Sequence, residues 1–450
     1  MKNKILTSLI TLTAVIGVTA CFKMSPKSEK NENKNPLQFA TLLRDPSSLN
    51  HDRTYKELSS SKYLAFKKKL NSFSAKVSEA HAKRNYKTNN NIVISPLSIE
   101  LCLGLAVSGA NGQTREEILT ALDVDYETFK EYYKLYFDDM LYERHTNTGD
   151  ISGQLLINNS IWIDDEVTLL ETGLDDLRDN FYSYSYNVDF NNNNKKTNAA
   201  IREFVKEKTK GLIDKDFQIS EDTLFTLMNT LYLKDIWNER GSNLPYASDE
   251  YKFTNNDGSV SDKQLLKGNY VKLGVLETED FYAASSLGIS TIRLHFVKAK
   301  DGKSIKDVFN KDTIETVLDF SNYRSVDDEK KESYYSNCIF PEYEVKEEID
   351  LIQMFKEEFN IRSLFNLDCD FSNLSSDQLY CSDFKQVAKI SVDKKGIEGA
   401  AVTMMDYEGA EGPDEYEEIY ESLVLDKEFG FIVTKGFSDI IFTGIVTNID

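Results

Sequence analysis

The stretch NIVISPLSIELCLGLAVSGANGQTREEI, residues 91–118, is the most distinctive segment of the chain. Apolar residues run from Pro96 to Val107 and are followed by the glycine-rich sequence GANG at 109–112. This order predicts a buried helix, a turn and a second helix. The preceding segment SKYLAFKKKLNSFSAKVSEAHAKR, residues 61–84, also has apolar residues near helical spacing, so helices dominate the first third of the chain.

The remainder of the chain predicts mainly strands. Strands are predicted over 153–164 (GQLLINNSIWID) and 223–237 (TLFTLMNTLYLKDIW), while the helix predicted over 197–213 ends at Gly211. Further strands are predicted within YYSNCIFPEYEVKEEIDL (334–351), QVAKISVDKKG (386–396), FGFIVTKG (429–436) and DIIFTGIVTNI (439–449). Helices and strands are segregated rather than alternating, which indicates an α+β fold.

Composition narrows the possible partners. The chain has 450 residues, the length of two or three average domains, although single mixed folds also reach this size. Its formal net charge of −21 argues against nucleic acid, because phosphate binding needs a basic face. The negative net charge fits either a basic partner or solubility alone.

Catalytic motifs are absent from the sequence. The four histidines are scattered and form no HExxH zinc motif, and no GxSxG nucleophile elbow occurs. DGKS at 301–304 resembles the end of a phosphate loop, but Val297 occupies the place of the first glycine. We therefore predict no enzymatic activity, no metal and no cofactor.

The N-terminus MKNKILTSLITLTAVIGVTACF has a basic start, an apolar run and small residues before Cys21. This pattern predicts an export signal over residues 1–20, and Val18 to Cys21 resembles the bacterial lipobox, whose cysteine is lipidated. The alternative is a cleaved soluble signal peptide with an incidental cysteine. Residues 21–54 predict a flexible tether, because KMSPKSEKNENKNP is polar and contains two prolines.

Four further cysteines are widely spaced and form no CxxC pair that would indicate zinc or redox chemistry. Cys102 and Cys338 lie in apolar runs and are expected to be buried thiols. In an exported protein, Cys369 and Cys381 either form a disulfide or remain free thiols, and the sequence leaves both alternatives open.

The segment VDKKGIEGAAVTMMDYEGAEGPDEYEEIYESLVL, residues 392–425, joins a strand-like half to an acidic half. Alternation puts small or apolar residues on one face. That face comprises Ile397, Gly399, Ala401, Thr403, Met405 and Tyr407. From Asp406 to Glu421 there are eight acids and no Lys or Arg. On local pattern alone, this predicts an edge strand followed by a solvated acidic loop.

Taken together, these segments resemble the serpin family from about residue 55 to Asp450. The most specific match is residues 91–118, similar to the serpin pattern Asn-x-x-x-Ser-Pro-x-Ser-Ile followed by Gly-Ala-x-Gly-x-Thr and a Glu-Ile pair. Supporting matches occur in order along the chain: SIWID, VDF, FVKEKTKGLI, MNTLYLKDIW, CIFPEYEV and FTGIVTNI.

The resemblance implies a metastable α+β serpin fold over residues 55–450, with three β-sheets, about nine helices and an exposed reactive-centre loop at about 394–424. It also implies a mechanism. A target protease of the serine or cysteine class cleaves the loop, an acyl-enzyme forms, and the freed strand inserts into the central sheet. The expected protein is a monomer.

A loop that inserts must be small and flexible where it enters the sheet. The hinge implied by the resemblance meets this demand. It comprises Lys394, Gly396, Ile397, Glu398, Gly399, Ala400, Ala401, Val402 and Thr403. Two positions depart from the family pattern, since Lys394 replaces the usual Glu and Ile397 the usual Thr or Ser. The β-branched side chain of Ile397 is expected to slow the first step of insertion.

The resemblance also implies a set of polar residues, the shutter, that controls opening of the sheet. Asn91, Ser95, Ser98 and Asn229 match the family's shutter, but Gln386 stands where a His is usual. An amide retains hydrogen-bonding capacity at that position. Trp237 matches the aromatic residue at the top of the sheet, where insertion begins, and equally fits a core Trp.

The scissile bond follows from a count of residues. Counting the usual seventeen loop residues from Lys394 places the cut between Ala410 and Glu411, which suits an elastase-like pocket. The loop is about seven residues longer than in ordinary serpins. If some of the extra residues precede the cut, Glu415, Tyr416 or a nearby residue becomes the target site, and Tyr407 and Glu408 are shorter-loop alternatives. The surrounding acids favour proteases with a basic rim.

The predicted function is suicide inhibition of a protease by a serpin anchored through Cys21 to the bacterial cell envelope, at the outer membrane or cell surface. The alternative is a non-inhibitory serpin that acts as a surface binding module, favoured if Ile397 and the long loop block insertion.

Overall fold

The computed structural model describes residues 36–51, 55–146, 149–237, 243–288, 292–398 and 416–449. Within them, three β-sheets combine with eight α-helices of seven or more residues and two single-turn helices. The predicted α+β class, with three sheets and about nine helices, is confirmed.

The helices are α1 (Tyr55–Leu58), α2 (Ser61–Asn85), α3 (Pro96–Gly109), α4 (Gly112–Leu122), α5 (Tyr126–Met140), α6 (Glu171–Phe181), α7 (Phe190–Lys208), α8 (Ile305–Val308), α9 (Lys311–Leu318) and α10 (Ile352–Glu358). The strands are β1 (Thr41–Arg44), β2 (Ile92–Ile94), β3 (Tyr142–His145), β4 (Ile151–Asp164), β5 (Ser183–Val188), β6 (Phe225–Ile236), β7 (Leu266–Lys267), β8 (Leu276–Glu277), β9 (Phe281–Leu287), β10 (Ile292–Ala299), β11 (Val326–Asp327), β12 (Glu332–Phe340), β13 (Tyr343–Asp350), β14 (Lys385–Val392), β15 (Gly396–Glu398), β16 (Glu417–Val424), β17 (Phe429–Lys435) and β18 (Asp439–Val446).

The described strands form three sheets, which we call A, B and C. Sheet A has the order β1-β5-β4-β6-β15-β14-β13, with β3 also paired to β4. Sheet B has the order β2-β18-β17-β10-β9-β8. In sheet C, β12 pairs with β11, β7 and, in parallel, β16.

The opening stretch of the sequence forms β2, α3 and α4, as its pattern predicts. Ser95 caps α3 by accepting the backbone N–H of Ser98, and Pro96 takes the first helical position, where no N–H donor is needed. Every residue of α3 except Ser98 is buried. This helix therefore packs against β6 and β18 in the middle of the molecule.

The predicted tether, residues 21–54, is structured in its second half. Pro36–Phe39 form a 3₁₀ helix packed against α7, and β1 pairs with β5 at the edge of sheet A. Arg44 Nε donates to Asp175 Oδ1 at 2.8 Å, joining β1 to α6. The compact unit begins at Pro36 rather than at residue 55. Residues 1–35, including the predicted signal peptide and Cys21, lie outside the described residues.

The four cysteines of the described chain are all free and buried. Cys369 and Cys381 therefore form no bridge in this structure. Burial raises the pKa of the Cys102 thiol to about 12, so this side chain is an unreactive core group. No helix of the described residues combines the length and the apolar character needed to cross a membrane.

Glu100 is the unusual residue of α3, because its carboxyl group is buried in the core. Hydroxyl groups of Ser74 on α2 and Tyr136 on α5 donate hydrogen bonds to it, the latter at 2.9 Å. Burial raises the pKa of Glu100 from 4.5 to about 8. The folded protein therefore holds a proton that the unfolded chain releases between these two values.

We expect the free energy of unfolding to fall as the pH rises from about 4.5 to 8, by at most about 1.4 kcal/mol per pH unit from this group. Glu100→Gln replaces the carboxyl group with an amide that does not titrate but still accepts hydrogen bonds, so the variant should lose this pH dependence and be more stable at pH 8. Urea unfolding at pH 5, 6.5 and 8 tests the prediction. Parallel profiles for the two proteins would contradict it.

Candidate functional site

Sheet A contains a gap between β6 and β14. Among the described residues these two strands do not pair with each other, and only the three residues of β15 bridge them at one end. Beyond β15 lies a cavity of about 360 Å³, lined by 226–231 of β6 and 385–389 of β14. The segment 212–219, which follows α7, also lines the cavity. We call this gap the slot.

A tight turn leads the chain from β14 into β15. The backbone N–H groups of Lys395 and Gly396 donate to Asp393 Oδ1 at 2.7 and 3.0 Å, and Asp393 N–H donates back to the Gly396 carbonyl. A Cβ on Gly396 would collide with the backbone of Asp235 on β6. Glycine is therefore required at this position for β15 to lie beside β6.

The two residues that follow establish which face of the hinge points inward. The Ile397 side chain is buried, with 1% exposed, whereas Glu398 is exposed. The Glu398 carboxyl group accepts from the Tyr232 hydroxyl at 3.3 Å. The apolar face predicted from the alternation is thus the buried face for the hinge residues that the structure describes.

Trp237, the residue that follows β6, holds the turn through two hydrogen bonds. Its indole Nε1 donates to the Asp393 carbonyl at 2.6 Å, and its backbone N–H donates to the Lys395 carbonyl at 3.1 Å. The ring is buried and packs edge-on against Phe340, with the ring centroids 5.9 Å apart. Trp237 is therefore both a core residue and a contact of the hinge.

Lys394 is held through its backbone. Its N–H donates to Glu342 Oε1 at 2.9 Å, and its carbonyl accepts from Leu244 N–H at 2.7 Å. The Lys394 ammonium lies 5.7 Å from the centroid of the Tyr246 ring. Glu342 and Asp393 were missed by the sequence analysis, although an Asp before Lys-Lys-Gly is a turn signal.

Gln386 and Ser95 form a reciprocal pair at the slot. Ser95 N–H donates to Gln386 Oε1, and Gln386 Nε2 donates to the Ser95 carbonyl, both at 2.8 Å. Ser95 Oγ also donates to the Ile441 carbonyl at 2.8 Å. The amide of Gln386 therefore ties β14 to the start of α3 and, through Ser95, to β18.

Asn229 completes the polar lining from β6. Its Nδ2 donates to Asn159 Oδ1 on β4 at 2.8 Å, and Asn159 Nδ2 donates to the Phe181 carbonyl at 2.7 Å. Asn229 Oδ1 is buried without a hydrogen-bond partner in the described structure. An unsatisfied acceptor at this place is available to a donor that enters the slot.

The structure brings four of the predicted shutter residues together and separates the fifth. Ser95, Ser98, Asn229 and Gln386 all line the slot cavity. Asn91 instead binds the C-terminal segment, because its Oδ1 accepts Thr447 N–H at 2.7 Å and its Nδ2 donates to the Asn448 carbonyl. Asn91 therefore lies apart from the slot cavity in this structure, and its role in the shutter stays a prediction.

The other predicted site residues fall outside the described residues. These are Gly399, Ala400, Ala401, Val402, Thr403, the Ala410–Glu411 bond and Cys21.

The segment that covers the slot is fixed by ion pairs. Arg202 on α7 contacts Asp214 and Asp216, each at 2.6 Å, and Lys206 contacts Asp214 at 2.7 Å. Lys215 pairs with Glu348 on β13. These pairs hold the segment against the slot cavity, although exposed ion pairs contribute little stability individually.

A group of three carboxylates close enough to hold one metal ion occurs once in the described chain, at Asp164, Asp165 and Asp189. The two Asp164 oxygens already accept backbone N–H groups of Glu166 and Phe190, at 3.1 and 2.8 Å. Hydrogen bonding within the protein accounts for the placement of Asp164.

Comparison with known proteins agrees with this geometry. A family described as "Serpin (serine protease inhibitor)" matches residues 68–449. Serpin A3-1 of Bos taurus is 26% identical over 373 residues, covering 80% of this chain and 84% of the relative. The alpha-1-antiproteinase of Rattus norvegicus is 24% identical over 323 residues, covering 70% and 75%.

Solved structures show the same fold. Native Tengpin, a thermophilic serpin, superposes with a TM-score of 0.68 at 19% identity, covering 91% of this chain and all of Tengpin. Human thyroxine-binding globulin complexed with thyroxine gives a TM-score of 0.66 at 18% identity, covering 85% and 99%.

Proposed function

This chain belongs to the serpin family, and from that premise we propose that it traps a target protease irreversibly by loop cleavage and insertion of the loop into the slot of sheet A. The observation that carries the proposal is the slot itself, entered at one end by β15 and open along 226–231 and 385–389. Antiproteinase relatives support protease inhibition in general.

The register of β15 predicts where the freed loop would lie. Gly396 pairs with Ile236 and Glu398 with Lys234 on β6, while Ile397 pairs with Val392 on β14. Continuing both ladders without a shift places Ala401 between Leu231 and Ala388. Thr403 then falls between Asn229 and Gln386.

This placement matches the chemistry on both sides. The small Ala401 would face apolar neighbours, and the Thr403 hydroxyl would reach the buried acceptor Asn229 Oδ1, which has no partner in the described structure. The predicted inward residues therefore suit the slot they would fill.

The length of β6 limits the position of the scissile bond. In the same register, Tyr407 would lie opposite Phe225, the first residue of β6. A cut at Tyr407 or Glu408 leaves almost no chain between the strand and the attached protease. A cut after Ala410 leaves three residues, which favours the Ala410–Glu411 bond over these two alternatives and leaves cuts near Glu415 open.

Incubation with a panel of elastase-type, chymotrypsin-type, trypsin-type and papain-type proteases tests the function. An inhibitor gives a complex that survives SDS, and the small C-terminal fragment should begin at Glu411. Insertion of the cleaved loop into sheet A should raise the free energy of unfolding by several kcal/mol. Each kcal/mol corresponds to about 1–2 °C in a domain of this size, so the melting temperature should rise by roughly 10 °C or more.

The second candidate is a non-inhibitory serpin that binds a partner at the surface. Ile397, already buried at the entrance of the slot, is the observation that favours it, since serpins usually carry Thr or Ser there. Such a protein would be cleaved without forming the stable complex, and its melting temperature would not change.

Membrane anchoring is a separate part of the proposal and rests on the lipobox-like sequence before Cys21. We expect Cys21→Ala to abolish acylation and to release the protein from bacterial membranes, because the thiol is the attachment point. Fractionation after a carbonate wash measures the change. A variant that remains in the membrane pellet would contradict anchoring through Cys21 but not inhibition.

A further inference from the structure

Three tyrosine rings form a ladder on the surface of sheet C, beside the point where the loop rejoins the fold. The Tyr420 and Tyr335 rings stack with centroids 5.3 Å apart, and Tyr270 meets Tyr420 edge-on at 5.0 Å. Tyr420 is 55% exposed and Tyr270 is 44% exposed. Exposed, mutually packed tyrosines are rigid and are enriched at the centres of protein interfaces.

The ladder attracts cations. Lys267 lies 5.6 Å from the centroid of Tyr270, and Lys272 lies 6.0 Å from that of Tyr335. Within the described chain, Tyr420 is the one ring of the three with no lysine or arginine over it. More than half of the Tyr420 side chain is exposed, so it is accessible to a partner even though Tyr335 and Tyr270 pack against the ring.

Two acidic groups accept hydrogen bonds from Tyr420 and from Tyr416, four residues earlier. Glu418 accepts from the Tyr420 hydroxyl at 2.6 Å, and Asp328 accepts from the Tyr416 hydroxyl at 2.7 Å. Neither carboxylate forms an ion pair with a cation of the described residues. Both remain available to positive charge on a partner, and the Glu418 carboxylate, which is bonded to the hydroxyl of the exposed Tyr420, is well suited to an Arg or Lys side chain.

We propose that Tyr420, Tyr335 and Tyr270, with Glu418, form a docking surface for the positively charged rim of the target protease. This inference rests on the proposed function. Tyr420 lies ten positions after Ala410, a stretch that spans at most about 35 Å. A protease of ordinary domain size is about 45 Å across, so a protease seated on the loop reaches the ladder.

The consequence is that this surface selects the protease before cleavage. Contacts at Tyr420 stabilise the reversible encounter complex, whereas insertion into the slot determines whether the trapped complex survives. Substitutions on the ladder should therefore change the rate of inhibition and leave its stoichiometry unchanged.

The test uses leukocyte elastase, a cationic serine protease, in its active form and with its catalytic serine replaced by alanine. Tyr420→Ser should slow inhibition by the full chain and weaken reversible binding of the inactive enzyme by about fivefold to twentyfold. Glu418→Lys should have a similar effect at low ionic strength that fades as salt rises. Tyr380→Ser removes an aromatic residue that is 37% exposed and lies outside the ladder, and serves as the matched control.

Comparing the active and the inactive form of elastase distinguishes failure of this inference from failure of the proposed function. A stable complex whose rate is the same for Tyr420→Ser, Glu418→Lys and Tyr380→Ser overturns the docking surface and leaves inhibition intact. No stable complex, but binding of inactive elastase that depends on Tyr420, supports the surface and overturns inhibition. Absence of both overturns the docking surface as proposed for a cationic protease.

Discussion

Ile397→Asp should convert the protein from an inhibitor into a substrate. Ile397 is buried at the entrance of the slot and lies directly opposite Asp235, itself 2% exposed, in the β15–β6 ladder. Opposed side chains in such a ladder have Cβ atoms about 5 Å apart, so the variant sets a second carboxyl group beside a buried one. Burying this unpaired charge costs several kcal/mol, so we expect β15 to leave the sheet in the uncleaved variant. Insertion of the cleaved loop must then bury the carboxylate, and each 1.4 kcal/mol of that cost is about tenfold in partitioning.

We therefore expect the loop to be cut at an undiminished rate while the yield of SDS-stable complex falls at least about tenfold. Glu398→Gln removes the charge of the next residue, which lies on the exposed face, but keeps an acceptor for the Tyr232 hydroxyl, and it should leave the yield nearly unchanged. Ile397→Thr, the residue type usual in the family, should inhibit at least as well as the natural chain. An unchanged yield for Ile397→Asp would remove insertion at this hinge from the mechanism.

Which hinge side chains point into the core was predictable, because the alternation of side chains along a strand is a local property. Ile397 inward and Glu398 outward follow from the period of two, and the structure confirms both. The likeness of residues 91–118 to serpins likewise predicted α3 and its place at the slot, because burial on nearly every side of a helix leaves a long apolar run.

Contacts between distant segments were not predictable in the same way. Glu342 binds the hinge backbone from 52 positions away, and nothing in its local sequence marks it for that role. Asn91 has the family's spacing to Ser95, yet its side chain is taken by the C-terminal backbone. The strand Thr41–Arg44 follows a polar, proline-containing stretch and is stabilised by pairing with β5, a tertiary effect that overrides weak local propensity.

Gln386 is the shutter position where the chain departs from the family. Removal of its side chain should have the largest effect on the stability of the uncleaved protein. Gln386→Ala leaves the Ser95 N–H buried without a partner, at a cost of about 1–3 kcal/mol, and leaves the Ser95 carbonyl only its long 3.4 Å hydrogen bond from the Ile99 N–H. It also disconnects β14 from α3 at the slot. We expect a lower melting temperature and faster loss of inhibitory capacity at 37 °C, as the uncleaved loop inserts or molecules associate through the opened sheet.

The comparison variant is Ser98→Ala, since Ser98 lines the same cavity but contributes its backbone N–H to the Ser95 hydroxyl, a contact that alanine keeps. Residual inhibition during incubation, with native gels to separate monomers from polymers, follows the decay. Gln386→His should fall between the two, because an imidazole supplies one donor and one acceptor but with a different spacing from the amide. If Gln386→Ala decays no faster than Ser98→Ala, the reciprocal amide pair does not control opening of sheet A, and the ion pairs of the covering segment 212–219 become the remaining restraint on the slot.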